Sequence, residues 1–284
     1  MNVLVTGGCG YIGASLVPRL LADGHKVTVF DTRWFGDGHL PDNPNLRVII
    51  GDVRDTLALK DAALGQDSII WLASLSNNQM YSVNYDLTHQ VNTTIEWFDV
   101  ERFIYASSVA VLDPKSDYAK DKVTCEEFLK KTPATIIRSA SVCGYSPRQR
   151  LDTTVNKMVH DACRKGIITV NGGEQLRTHV HINDLCQFYS VLLTAHDIEG
   201  QTFTLVKENQ RILDTARMVS DICNVPIEIQ GRTDDRSYSV ENTSFFKPQV
   251  QIEKSVHDLK ARFDSGMWTD SETNPIYQNI KHEI

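Results

Sequence analysis

Long apolar runs are missing from this 284-residue sequence. Nowhere do about 18 consecutive apolar residues occur, the length a bilayer-spanning helix needs, so no membrane partner is expected. The first residues, MNVLVTGG, lack the basic segment, longer apolar stretch and small-residue cleavage site of a secretory leader. Cysteine pairs at CxxC spacing are absent as well. The six cysteines (Cys9, Cys125, Cys143, Cys163, Cys186 and Cys223) are scattered, which suggests neither a zinc module nor a disulfide framework. No metal is expected, and reduced thiols fit a soluble, cytoplasmic protein. Positive charge is not in excess: the net charge is −7. That balance argues against sequence-independent nucleic-acid binding, which needs clustered Lys and Arg to neutralise phosphates. Low-complexity tracts and repeats at a solenoid period are also lacking.

What is present is a regular alternation. Mostly apolar segments at 3–6, 26–30, 46–50, 68–72, 102–106 and 134–138 read as strands, and residues 81–100 and 118–131 as helices. Leu16, Val17, Leu20 and Leu21 recur at helical spacing, and Gly24 closes that helix. Continuous apolar strands alternating with helices predict a parallel sheet covered on both faces, a doubly wound α/β fold of Rossmann type. After Gly144 the regularity weakens. Helices are expected around 155–165 and 212–223, in a smaller second lobe.

Residues 6–13 read TGGCGYIG. Gly8, Gly10 and Gly13 satisfy GxGxxG, while Gly7, Gly10 and Gly13 satisfy GxxGxxG, directly between a strand and a helix. Glycine is needed there because a Cβ would hold the backbone away from a pyrophosphate, and the helix N-terminus supplies unpaired amides and partial positive charge. Asp31 follows Gly13 by 18 residues at the end of the second strand. A carboxylate there accepts the ribose hydroxyls and repels a 2′-phosphate, which favours NAD over NADP. Arg33 is the contrary hint, because a basic side chain can neutralise that phosphate.

Tyr118 and Lys122 lie four apart on a predicted helix, hence on one face. An ammonium near the phenol favours its ionised form and makes a group that titrates at about 10 usable as a base. Ser108 can hydrogen-bond the same reacting oxygen. YxxxK alone is weak, and the sequence carries a second copy at Tyr277 and Lys281. Only Tyr118 follows an apolar strand ending in serines, at the sheet edge where doubly wound folds bind ligands. His179 and His181 alternate along a predicted strand ahead of Asp184, which looks like a helix N-cap. Both histidines read as structural, because a metal site needs further ligands.

TGGCGYIG, Asp31, GDVRD at 51–55, WLAS at 71–74, YASS at 105–108 and YAKDK at 118–122 together resemble the extended short-chain dehydrogenases/reductases, the NAD-dependent sugar-nucleotide epimerases and dehydratases. SVCGYSPRQR, GGEQLRTHVHINDL and DDRSY continue the resemblance to about Phe263. It implies a catalytic trio of Ser108, Tyr118 and Lys122. It also implies NAD contacts at Gly7, Gly10, Tyr11, Ile12, Gly13, Asp31, Asp52, Val53, Leu72, Ala73, Ser74 and Asn84, joined by Tyr118 and Lys122. Ser108, Asn156, Arg177 and Arg236 would touch the substrate, the arginines clamping its diphosphate. Residues 1–143, completed by about 176–206, would form the NAD-binding domain. Residues 144–175 and 207–264 would form the substrate-binding lobe, and 265–284 a polar tail. A homodimer is implied, paired through the helices from Tyr81 and Tyr118.

Two departures from the family pattern stand out. Ser108 and Tyr118 are only ten residues apart where relatives carry a longer, proline-containing loop. Val109 and Ala110 also replace the acidic pair of 4,6-dehydratases. The expected reaction is epimerisation of a nucleotide-diphosphate sugar through a transient keto intermediate. The alternatives are an NAD(P)-dependent reductase or dehydrogenase of the same substrate class, then a 4,6-dehydratase or a non-catalytic NAD-binding regulator.

Overall fold

The computed structural model describes residues 1–36, 38–75, 90–91, 95, 100–231 and 237–279. Most of the helix expected over 81–100 lies outside them, as do Asn84 and Arg236. Two compact units divide the chain, one of Met1–Arg138 with Cys186–Phe203, the other of Ser139–Leu185 with Thr204–Ile284.

In chain order the strands are β1 (Asn2–Thr6), β2 (Lys26–Asp31), β3 (Leu46–Ile50), β4 (Ser68–Trp71), β5 (Arg102–Ser108), β6 (Thr135–Ser139), β7 (Ser141–Cys143), β8 (Ile168–Asn171), β9 (Leu176–His181), β10 (Thr202–Leu205), β11 (Glu208–Arg211) and β12 (Ile227–Gln230). Among the described residues, seven of them form one sheet in the order β10-β6-β5-β4-β1-β2-β3. β1 runs parallel to both β2 and β4, β2 to β3, and β4 to β5. This is the doubly wound parallel sheet expected from the apolar strands. The chain winds outward from β1 through β2 to β3, then returns to β4 on the other side. The switch point therefore falls between the C-terminal ends of β1 and β4, where such sheets bind ligands.

Helix α1 (Gly13–Ala22) buries Leu16, Val17 and Leu20. Helix α2 (Thr56–Ala63) is capped by the Asp55 carboxylate, which accepts from the Leu57 and Ala58 amides. In α3 (Asp117–Leu129) the Ser116 hydroxyl accepts from Ala119 N, and Asp117 adds negative charge to the first turn. Phe30, Trp71, Phe103, Tyr105, Cys125 and Leu129 share one core cluster, with the Trp71 and Phe103 rings 6.1 Å apart.

The second unit holds a three-stranded sheet, β11-β9-β7, and a two-stranded one, β12-β8. Helices α4 (Thr154–Lys165), α6 (Ile212–Cys223) and α7 (Ile252–Asp264) contribute Val159, Val219, Val256 and Leu259 to its core. C-terminal residues pack here: Leu151 N donates to Tyr277 O, Arg148 Nη2 donates to Ile276 O, and the Tyr277 ring lies against the core.

One local expectation is corrected. The helix after β9, α5 (Ile182–Leu192), starts two residues before Asp184, so Asp184 is not its N-cap. Its carboxylate accepts from the Gln249 and Val250 amides instead. The Asn183 amide donates to His181 Nδ1, so the imidazole does the capping.

Candidate active site

The glycine turn is built around close approaches. Gly7 has φ +71°, and a Cβ there would come within 2.8 Å of Ala73 N. A Cβ on Gly8 would meet Val29 at 2.7 Å, and one on Gly13 would lie 2.4 Å from Gly8 O. Gly7 N donates to Phe30 O, and Ala14 N to Gly10 O as the helix begins. The turn thus sits flush against β4 and β2, and α1 opens immediately beyond it. The glycine turn is compatible with a pyrophosphate: the space where side chains would stand is kept clear in front of a helix N-terminus.

Asp31 is held at both oxygens. Cys9 N donates to Oδ2 at 2.9 Å and Arg33 N to Oδ1 at 2.7 Å. Asp52 takes a two-pronged bond from the Arg54 guanidinium and one from its amide, and Val53 is buried. After β4, Leu72 N donates to Thr6 O, and Ala73 O accepts from Trp71 Nε1. Leu72, Ala73 and Ser74 thereby run beside the glycine turn, while Tyr11 is buried and Ile12 precedes α1.

The Ser108, Tyr118 and Lys122 constellation comes from β5 and α3. Ser108 ends β5, and its Oγ accepts from Ala110 N to start a 3-10 turn over Val109–Leu112. That turn is how ten residues suffice to reverse the chain before Ser116 caps α3. Lys122 is 4% exposed. Its Nζ donates to Ala106 O at 2.7 Å and to the Tyr105 hydroxyl at 3.2 Å, and stands 5.7 Å from the centre of the Tyr118 ring. Burial draws its pKa down to about 8, against the opposing pull of Cys125, Glu126 and Asp121. Burial likewise pushes the Tyr105 hydroxyl well above its ordinary range, so it stays protonated.

Sequence reasoning missed the network beneath this trio. Glu126 is 2% exposed; it accepts from Ser107 Oγ at 2.5 Å and from Nε and Nη2 of Arg138. β5, α3 and β6 are joined through one carboxylate. The signal was present: Tyr118, Lys122 and Glu126 recur every four residues on one helix face, and a charge on a buried face requires a partner.

In the second unit, Asn156 is fully buried, with Oδ1 accepting from Gly144 N and Nδ2 donating to Arg150 O. Its amide holds the loop after β7. Arg177 is buried and donates to Leu176 O, and its guanidinium lies 5.7 Å from the centre of the Tyr238 ring. His179 is 0% exposed, neither ring nitrogen has a hydrogen-bond partner, and burial with the charge of Arg177 draws its pKa to about 4. No group of three or more metal-ligating side chains occurs among the described residues.

A parallel sheet with this turn at its switch point defines a dinucleotide-binding fold. Residues 3–205 match the NAD dependent epimerase/dehydratase family, and the chain belongs to that family. Its cofactor is NAD. The low-salt glycan biosynthesis protein Agl12 of Haloferax volcanii is 26% identical over 241 residues, 72% of this chain and 76% of that one. The N-acetyl-alpha-D-glucosaminyl-diphospho-ditrans,octacis-undecaprenol 4-epimerase of Escherichia coli O157:H7 is 27% identical over 214 residues, 66% of this chain and 61% of that enzyme. Among solved structures, dTDP-glucose 4,6-dehydratase of Bacillus anthracis in complex with NAD superposes with a TM-score of 0.84 at 18% identity, over 95% of this chain and 99% of that one. No helix among the described residues is long and apolar enough to cross a membrane.

Proposed function

We propose that the protein is an epimerase of a nucleotide-diphosphate sugar, using Tyr118 as the proton-transfer group. The observation that carries this reading is Lys122, a buried cation fixed by Ala106 O and the Tyr105 hydroxyl on the same helix face as Tyr118. The Lys122 ammonium favours the Tyr118 phenolate, which takes the proton of a sugar hydroxyl and becomes the neutral phenol. Ser108 Oγ accepts from Ala110 N and keeps its O–H as the donor that steadies the reacting oxygen. Bound NAD supplies reversible hydride uptake and return at the sugar carbon. The keto sugar turns to present its other face before it is reduced, Tyr118 gives its proton back, and the net change is inversion at one carbon.

Arg177 and Arg236 serve as diphosphate clamps, and Asn156 acts through the loop it holds. Val109 and Ala110 follow Ser108 where a dehydratase needs acidic groups to move further protons, which favours epimerisation over loss of water. A cytoplasmic homodimer is part of the proposal.

The test is to incubate the purified protein with NAD and a panel of nucleotide sugars, following products by NMR. Interconversion of two epimers without accumulation of NADH is expected. Stoichiometric NADH would select a dehydrogenase instead, and a dehydrated product a 4,6-dehydratase. Tyr118→Phe should lower kcat by about 10²- to 10⁴-fold with NAD binding retained. Full activity in that variant would sink the proposal.

A further inference from the structure

The Lys122 ammonium is anchored from β5. Its Nζ lies between two phenol rings, 4.6 Å from the centre of the Tyr105 ring and 5.7 Å from that of Tyr118. An ammonium has three N–H donors. Two of them go to the strand, one to Ala106 O at 2.7 Å and one to the Tyr105 hydroxyl at 3.2 Å. With two donors tied down, the direction of the third is set. Ala106 contributes backbone, so Tyr105 is the one side chain among the described residues that hydrogen-bonds this ammonium.

Tyr105 shares β5 with Ser108, and its buried ring packs in the core cluster with Trp71, Phe103 and Leu129. The hydroxyl is therefore held where it is. Burial keeps it protonated, which makes it a neutral acceptor: it supports a cation without adding a second buried charge. The ring face attracts the same cation. Two residues further along the same face of the strand, Ser107 Oγ donates to Glu126, one helical turn after Lys122. Alternate residues of β5 thus fasten successive turns of α3, and the first of these fastenings carries the ammonium.

We propose that Tyr105 is a positioning residue for the site: its hydroxyl and ring hold the Lys122 ammonium charged and in place on the helix face that carries Tyr118. The inference deepens the epimerase reading and rests on it. Tyr105 acts through Lys122 and takes no proton itself. The titratable side chains that face Lys122 are Tyr105 from β5 and Tyr118, Asp121, Cys125 and Glu126 from α3 itself. The 3-10 turn that also packs on α3, Val109–Leu112, brings none. Removing the Tyr105 hydroxyl alone leaves the other groups where they are and takes away one hydrogen bond to the charged form. The Lys122 pKa should then fall below the value of about 8 that burial already imposes.

The experiment follows the ammonium directly by NMR, in the full-length protein labelled with carbon-13 at the lysine Cε. The Lys122 resonance is assigned by its absence in Lys122→Arg, and its shift is titrated against pH in the parent and in Tyr105→Phe. Phenylalanine keeps the ring and its packing and removes only the hydroxyl, and circular dichroism verifies that the variant is folded. The expected result is a Lys122 midpoint lowered by about one unit in Tyr105→Phe. The alkaline decline of kcat/KM in the epimerase assay should move down with it. An unchanged midpoint would overturn the proposal, and so would a lower melting temperature with no change at Lys122, the mark of a residue that only fills the core. A lowered midpoint in a protein that epimerises no nucleotide sugar would uphold the hold of Tyr105 on Lys122 and count against the epimerase reading instead.

Discussion

His179 shows how a single buried side chain sets a pH response. Its ring is sealed and unpartnered, so the folded protein keeps it neutral down to pH about 4, while the unfolded chain protonates it at about 6.5. As pH falls through that window the unfolded state binds the proton first, so stability present above 6.5 is lost toward 4, by about 3 kcal/mol. His179→Phe should flatten that part of the profile in urea titrations between pH 7 and 4.5, and an unchanged slope would contradict the assignment. Lys122 sets a second limit. It is charged below about pH 8 and neutral above it, so the support proposed for a Tyr118 phenolate would disappear on the alkaline side. In the epimerase assay, kcat/KM should decline as pH rises through about 8.

At the scale of elements, the junctions matter more than the strands and helices they join. Glu126 ties α3 to β5 through Ser107 and to β6 through Arg138. Removing its charge leaves Arg138 without its partner, and Glu126→Gln should cost about 3 kcal/mol in chemical denaturation. The glycine turn was fully legible in the sequence, because close backbone approach admits no substitute at Gly7 or Gly13 and the requirement is written in the residue type. The strand alternation was legible for a similar reason, since a sheet covered on both faces needs continuous apolar strands. The Glu126 network was not, because a buried charge is defined by partners that only the folded sheet brings near. Asp184 misled for the converse reason: its residue type suits a cap, but its acceptors were claimed by amides 65 and 66 residues away. Asn156 suited a ligand contact by position, and its burial was invisible until β7 and α4 were folded around it.

For the whole molecule, NAD binds the folded state and stabilises it by mass action, by about 2.7 kcal/mol at a hundredfold excess over Kd. Thermal melting should therefore rise with NAD concentration. Gly13→Ala, whose Cβ would collide with Gly8 O, should melt lower and show no NAD-dependent rise; a normal rise would mean the turn is not the cofactor cradle. Asp31 carries a different consequence. One of its oxygens fastens Cys9 in the glycine turn and the other fastens Arg33, whose backbone is left-handed at φ 53°. A lineage drifting toward the phosphorylated cofactor would first discard this carboxylate, and in doing so would untie the turn and the loop together. In the proposed reading, in which Asp31 also accepts the ribose hydroxyls, a change of cofactor at this position would come with a loosened turn and loop.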